Sequence, residues 1–192
     1  MKRRIESADL MPAAEYAARR AELRRALVQH KKERRVPVGP FATFYFESFE
    51  TMRAQVQEML YIEKGGDVQL GEELAAYNPL VPQGQELVAT LMFEIDDPAR
   101  RARELAALGN IEHTIFLKVA GQEISAEAEG ERTNEAGKTS AVHFVRFSFT
   151  QAAMAAFRVE NADILLGFHH PAYPHMAKIT EPVRRALSGD FA

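Results

Sequence analysis

The sequence predicts an α+β fold: a mainly antiparallel β-sheet of about five or six strands with helices packed on one face, and a long N-terminal helix. The evidence is an alanine-rich stretch over residues 12–35, a series of short apolar or alternating segments, and Gly- or Pro-containing turns between those segments. Strands that follow one another through short turns favour antiparallel pairing. A chain of 192 residues with 46% hydrophobic content can bury one sizeable core, so residues 1–192 are expected to form a single domain.

The N-terminal helix is predicted from its composition and is strongly basic. Pro12 suits the first turn of a helix, and six alanines between residues 13 and 26 raise the helix propensity. Glu15 and Glu22 precede arginines at helical spacing, so part of the positive charge is paired within the helix. A solvated face is the ordinary interpretation. The alternative is a surface that binds an acidic partner through four cations: Arg24, Arg25, Lys31 and Lys32.

The remaining elements follow from hydrophobic periodicity and from cap and turn residues. Two glycines at 65–66 are expected to end the helix that Thr51 caps, and Asp97 is expected to cap a later one. Predicted strands cover residues 41–47, 87–95, 112–119, 122–129, 139–149 and 164–168. Predicted helices after the first cover a segment from Thr51 to Gly65, then 72–77, 99–108, a short segment after Thr150, and 181–187.

Several functional classes are disfavoured by composition. The formal net charge is −3, which gives no general attraction for nucleic acid or for an anionic membrane. The chain contains no cysteine, so it can form no disulfide, no thiolate nucleophile and no iron–sulfur cluster ligated by its own side chains. No apolar run has the length of a membrane span, and no phosphate-binding or dinucleotide-binding glycine motif occurs. A cytoplasmic protein without membrane insertion or nucleic-acid binding is therefore expected.

The densest group of chemically capable side chains lies in residues 165–178. Pro171 removes a backbone donor after the 164–168 strand, and a turn over 171–174 would bring His175 back toward His170. Imidazole is a common ligand for iron, zinc and copper. The stretch therefore predicts a metal site with His170 and His175 as ligands and with Tyr173 and His169 nearby. The alternative is a polar cap on a sheet, in which these histidines are simply hydrogen-bonded.

His143 is the third candidate ligand. It shares a strand face with Val145 and Phe147, so burial is expected to lower its pKa. If the 164–168 strand pairs with the His143 strand, His143 approaches the other histidines and completes a three-imidazole set. In a closed pocket it would instead serve as a general base. A hydrogen-bonded core histidine is the more ordinary interpretation.

Four segments of the chain carry a resemblance that extends over nearly its whole length. They are Phe46-Glu47 with Gln57-Glu58-Met59-Leu60 and Ile62-Glu63, Glu73-Leu74-Ala75-Ala76-Tyr77-Asn78, Gly137-Lys138-Thr139-Ser140-Ala141-Val142-His143-Phe144, and His170-Pro171-Ala172-Tyr173. Together they resemble an uncharacterised bacterial family of about this length, called a domain of unknown function. Genes of that family often neighbour a rubrerythrin and an iron–sulfur protein similar to heterodisulfide reductase or anaerobic glycerol-phosphate dehydrogenase subunits. By association, the resemblance implies a place in a bacterial redox or peroxide-stress module; it supplies no catalytic residues.

Three functional hypotheses result. The first is an accessory protein of such a module, with a rubrerythrin-like protein and an iron–sulfur oxidoreductase subunit as partners, that binds iron or another divalent metal through His170, His175 and His143. The second is an interaction module without metal that docks through its basic N-terminal helix. The third is an enzyme that uses His143 as a general base on a small substrate.

Overall fold

A computed structural model describes residues 2–130 and 132–192. Its helices are α1 (Ala13–Lys32), α2 (Phe49–Glu63), α3 (Gly66–Tyr77), α4 (Pro98–Ala107), α5 (Gln151–Arg158) and α6 (Glu181–Ser188). Its strands are β1 (Arg35–Val38), β2 (Ala42–Phe46), β3 (Glu86–Phe93), β4 (Ile115–Val119), β5 (Gln122–Ser125), β6 (Glu127–Ala128), β7 (Val142–Ser148), β8 (Ile164–Phe168) and β9 (Met176–Lys178). Short 3₁₀ helices cover Ser7–Asp9, Asn78–Leu80 and Ile111–Thr114.

The strands form two antiparallel sheets, which confirms the α+β class. One sheet has the order β1-β2-β3-β7-β6 and the other the order β5-β4-β8-β9. The predicted 122–129 strand is divided at Ala126: β5 pairs with β4 in one sheet, and β6 pairs with β7 in the other. One continuous strand segment therefore contributes to both sheets, a division that periodicity along a single strand does not reveal.

The larger sheet is buried on both faces. One face packs on the smaller sheet to form the main core, to which β2, β7 and β8 contribute Phe44, Phe147 and Phe168. The opposite face is covered by α2 and the N-terminal segment, through Met52 and Ile5 among others. The prediction that all helices lie on one face is therefore wrong, because α5 and α6 instead pack into the core that the two sheets share.

The start of α2 and the α2–α3 junction differ in detail from the prediction. Ser48, rather than Thr51, is the N-cap of α2: its Oγ accepts a hydrogen bond from the Thr51 amide at 3.2 Å, and Thr51 Oγ1 accepts one from the Ser48 amide at 2.8 Å. Lys64 and Gly66 both have positive φ, and α3 begins at once at Gly66. The glycine pair therefore marks a turn between two helices, and α3 is longer than the 72–77 segment that was predicted.

A buried ion pair ties the end of α1 to the C-terminus. Arg34 is 3% exposed and Asp190 is fully buried, and the two side chains form an ion pair. The Arg34 guanidinium also donates to the Phe46 carbonyl at 3.0 Å and to the Glu47 carbonyl at 2.8 Å. Because one guanidinium contacts the segment before α2 and the residues after α6 together, this pair fixes the position at which the chain passes from α1 into β1.

We expect Asp190→Ala to lower the free energy of unfolding by about 3–5 kcal/mol, because it leaves the Arg34 charge buried without its partner. Urea denaturation followed by circular dichroism measures the change. The matched control is Asp163→Ala, which removes an exposed ion pair with Lys178 at 2.9 Å and should cost less than about 1 kcal/mol. Equal losses in the two variants would show that the buried pair has no special role.

Candidate functional site

The histidine stretch lies between two strands of the smaller sheet. β8 ends at Phe168 and the chain turns back into β9, with Gly167 paired with Met176. β8 pairs with β4 and β9, whereas the strand that carries His143, β7, pairs with β3 and β6 in the larger sheet. The strand pairing on which a three-imidazole site depended therefore does not occur.

His170 has both ring nitrogens engaged with backbone groups. It is 8% exposed, its Nε2 lies 3.2 Å from the Gly109 carbonyl, and its Nδ1 accepts a hydrogen bond from the Ala172 amide at 3.2 Å. These contacts fit the neutral tautomer that carries its hydrogen on Nε2. His170 is therefore placed as a hydrogen-bonded structural histidine, with no lone pair directed at a ligand.

Tyr173 and His175, which lie between β8 and β9 of the smaller sheet, contact the β1–β2 turn. The Tyr173 hydroxyl donates to the Val38 carbonyl at 2.9 Å and accepts from the amides of Phe41 and Ala42 at 3.2 and 3.1 Å. The His175 ring packs edge-on against the Tyr173 ring, with centroids 4.5 Å apart. Gly39, with φ of +71°, lies so close that a Cβ there would be 2.7 Å from both side chains. The phenol that was predicted beside a metal thus hydrogen-bonds backbone groups on both sides of the β1–β2 turn.

His169 lies on the outer surface of the smaller sheet. Its ring stacks on Phe116 with a centroid distance of 4.2 Å, and its Nε2 lies 2.8 Å from a carboxylate oxygen of Glu123. Because His169 is exposed and His170 is buried, the two adjacent imidazoles face different environments. This is the alternation of faces that an extended backbone imposes.

His143 is fully buried beside an acid. Its Nε2 lies 2.9 Å from the Ser140 carbonyl and 3.2 Å from Thr139 Oγ1, and its Nδ1 has no hydrogen-bond partner among the described residues. Burial lowers the pKa of His143, although the nearby Glu112 carboxylate opposes that shift. Burial also acts to raise the pKa of Glu112, but backbone donors, including the Arg132 amide at 3.1 Å, produce a net lowering.

The predicted metal ligands are not assembled. Within residues 2–130 and 132–192, no three His, Asp or Glu side chains are grouped so as to hold a metal ion. Each of the three predicted ligands belongs to a different part of the structure: His143 to β7, His170 to the loop after β8, and His175 to the contact with Tyr173. Metal binding through these histidines therefore stays a prediction that the donor geometry does not favour. Elemental analysis of protein purified without a histidine tag tests it directly.

General-base catalysis by His143 would need a cavity beside the imidazole. The lining residues of four clefts among the described residues do not include His143. His143 Nδ1 faces a buried environment instead of an opening. The arrangement is that of a neutral core histidine, which is the ordinary interpretation of an imidazole on an apolar strand face.

The four predicted partner-binding cations do lie on one helix surface. Arg24, Arg25 and Lys32 are exposed and Lys31 is half-buried, and none of the four forms an ion pair with another described residue. Two neighbouring arginines are already paired: Arg19 contacts Glu15 at 3.6 Å, and Arg20 binds Glu58. Hydrogen bonds from Arg20 are the main reason that the pKa of Glu58 falls to about 2. The paired and unpaired cations are thus separated along α1.

α1 is attached at its ends and is scarcely buried between them. Tyr16 is the one buried side chain of its 20 residues. Near the start, the Tyr16 hydroxyl donates to Glu58 at 2.7 Å. Near the end, His30 Nε2 lies 3.0 Å from Ser48 Oγ, and Arg34 follows with its buried ion pair. Between these attachments, α1 and α2 are separated by a cleft of about 330 Å³.

The cleft is a feature that sequence reasoning missed. Its lining includes Leu23 and Leu27 of α1 and Arg53 and Ala54 of α2. The sequence offered one sign of this cleft, the irregular apolar stripe of α1. Such a stripe is too weak to bury the helix, so a gap remains between α1 and α2 when both ends of α1 are attached. Among the described residues, no helix combines the length and the apolar character that crossing a membrane would need.

The fold and these sites define a small α+β protein with two packed antiparallel sheets. A model of the family described as "Protein of unknown function (DUF3501)" matches residues 4–191, so the chain belongs to that family. It is similar to a crystal structure at 1.90 Å resolution described as a novel protein of unknown function from Burkholderia pseudomallei K96243. That similarity has 38% sequence identity and a TM-score of 0.91, and it covers 98% of this chain and 99% of the other. A comparison with curated proteins found no match.

We expect Tyr173→Phe to lower the free energy of unfolding by about 1–3 kcal/mol, because it leaves the buried Val38 carbonyl and Ala42 amide beside the β1–β2 turn without their partner. Thermal or urea denaturation measures the loss. Tyr61→Phe is the control, since the Tyr61 hydroxyl makes no hydrogen bond with another described residue, and it should change stability by less than about 0.5 kcal/mol. A loss no larger than that of the control would contradict the structural role.

Stability should also fall as the pH is lowered through the range in which His143 is protonated in the unfolded chain. Burial holds the pKa of folded His143 below its ordinary value of 6.5, so the unfolded state binds more protons below about that pH. Burial likewise lowers the pKa of His30. The free energy of unfolding should therefore decline from about pH 7.5 to pH 5.5, by at most about 1.4 kcal/mol per pH unit for each group.

Urea titrations across that range test this expectation. In His143→Gln the decline should be shallower, and the remainder should come from His30. Identical slopes in the wild-type protein and in the variant would show that His143 does not titrate as its burial requires.

Proposed function

We propose that this protein is an accessory protein that docks an acidic partner through the outer face of α1. The docking surface consists of Arg24, Arg25, Lys31 and Lys32. The observation that supports it best is a 20-residue helix with a single buried side chain, in which these four cations have no ion-pair partner among the described residues. A face that contributes so little to the core is available for another molecule.

Charge distribution supports an acidic protein partner. α1 carries six Lys and Arg residues against two Glu, although the whole chain has a net charge of −3. The rest of the molecule is therefore acidic, which disfavours close approach to a nucleic-acid backbone over a wide surface. Complementary charge on a protein partner would be matched locally, and such matching increases the association rate and the specificity.

The end attachments of α1 make the docking surface rigid. Most of the stability of a helix in a protein comes from tertiary contacts, and α1 makes such contacts at Tyr16 and His30, with Arg34 just beyond its end. A helix fixed before the partner arrives loses less conformational entropy when the complex forms. The surface thus combines exposure with preorganisation, two properties that a docking element requires.

The family resemblance supplies the candidate partners. They are a rubrerythrin-like protein and the iron–sulfur oxidoreductase subunit of the neighbouring redox module. In this proposal the protein positions such a partner through surface charge and performs no chemistry of its own.

Reversal of all four charges of the docking surface to glutamate should weaken binding to the partner by at least about tenfold, because like charges then face each other. Titration calorimetry or biolayer interferometry with each candidate partner, at low and at moderate salt, gives the dissociation constants. Binding by the wild-type protein should also weaken as salt is added.

The matched control reverses four exposed cations elsewhere: Arg103, Lys118, Lys138 and Arg185. It changes the net charge equally and should retain binding within a few-fold. Circular dichroism verifies that both variants fold. If neither candidate binds, or if both variants bind like the wild type, α1 is not the docking element.

A further inference from the structure

The cleft between α1 and α2 has apolar walls and an open side. Leu23, Ala26 and Leu27 line it from α1, and Ala54 lines it from α2. Met11, from the segment before α1, closes part of one end. The three α1 residues contribute to no core cluster of the described protein, so this apolar surface is not used in folding.

Two arginines without ion pairs also line the cleft. Arg24 reaches it from α1 and Arg53 from α2, and neither forms a salt bridge or a side-chain hydrogen bond with the described residues. Two of the lining acids are neutralised locally. Asp9 is bound by Lys2 at 2.5 Å, and Glu58 is bound by Arg20 and Tyr16. The cleft therefore offers two cationic groups above an apolar floor.

Glu50 is the remaining charged group of the lining. It lies one helical turn before Arg53 on α2, toward the end of the cleft at which His30 is found. One of its carboxylate oxygens is buried and has no hydrogen-bond partner among the described residues. Glu50 therefore adds a third carboxylate to the lining, one helical turn from Arg53.

We propose that this cleft binds a small organic monocarboxylate with an aliphatic body. The aliphatic body contacts Leu23, Leu27 and Ala54, and the carboxylate is bound by Arg24 and Arg53. Arginine suits this role because its planar guanidinium donates two parallel hydrogen bonds to a carboxylate. Burial of the aliphatic body supplies the hydrophobic contribution to binding.

Size and charge restrict the ligand further. A volume of about 330 Å³ is at the small end of the range for ligand pockets, and so suits a chain of a few carbons better than a long lipid. The lining holds three carboxylates, those of Asp9, Glu50 and Glu58, and only two arginines without ion pairs, so a second carboxylate on the ligand would have no arginine left to bind it. The cleft should therefore prefer a monoanion to a dianion of the same length.

This site shares Arg24 with the docking surface, so the variants that test it are placed on α2. Arg53 and Ala54 belong to α2 and are not part of the docking surface. A ligand between the two helices would also cross-link them, so binding should raise the melting temperature of the protein.

Octanoate, octanedioate and 1-octanol are suitable probes for titration calorimetry with the full chain. We expect octanoate to bind at one site per chain. The dianion octanedioate and the neutral octanol should each bind at least about tenfold more weakly, because one carries a second carboxylate with no further arginine to bind it and the other offers no charge to the arginines.

Two variants locate the site. Ala54→Trp fills the cleft and should weaken octanoate binding at least about tenfold, whereas the control Ala75→Trp, at an exposed position of α3, should not change it. Arg53→Gln should weaken octanoate binding by about tenfold and leave octanol binding unchanged. Because Arg53→Gln keeps the volume of the cleft open, it tests the proposal even if Ala54→Trp fails to fold.

Three experimental results would contradict the proposal of a carboxylate site. Absence of saturable octanoate binding to the wild-type protein would overturn it, and so would equal binding by Arg53→Gln. Tighter binding of octanol than of octanoate would show an apolar cleft without a carboxylate site, which also contradicts the proposal. None of these results would alter the outcome of the charge-reversal experiment on the docking surface.

Discussion

The larger sheet is apolar on both faces, and both faces must be covered. Phe44 and Leu91 point to the smaller sheet, whereas Val88 packs under α2 and the N-terminal segment. Covering one face requires the second sheet, and covering the other uses α2. Once both faces are covered, no core surface is left for α1 to bury. The exposure of that helix follows from the burial of the sheet, as does the cleft beneath it.

Joining two sheets leaves buried or half-buried backbone groups beside the turns, and these groups need partners. At the β1–β2 turn the partner is the Tyr173 hydroxyl, and at the loop before the Ile111 3₁₀ helix it is His170. A buried peptide group without a hydrogen bond is costly, so polar side chains concentrate at such turns. This requirement explains two of the four histidine and tyrosine residues in 165–178, namely His170 and Tyr173. Side-chain types alone do not separate a metal ligand from a turn partner.

α1 remains in place because its ends are fixed strongly. The buried pair of Arg34 and Asp190 holds one end, and the contacts of Tyr16 and Arg20 with Glu58 hold the other. The helix between them is free to present cations outward and apolar side chains toward α2. In the two proposals the exposed face of α1 contacts a protein and its inner face contacts a small anion, and Arg24 takes part in both.

The sequence by itself determined the fold class, most helices and strands to within a few residues, the basic surface of α1 and the burial of His143, because these depend on local periodicity, caps and charge. Tertiary structure alone decided which strands share a sheet. The division of the 122–129 segment at Ala126 placed β7 and β8 in different sheets, and the predicted histidine site lost its geometry. Strand pairing joins residues far apart in the chain, and such pairing leaves no periodic signal in either strand.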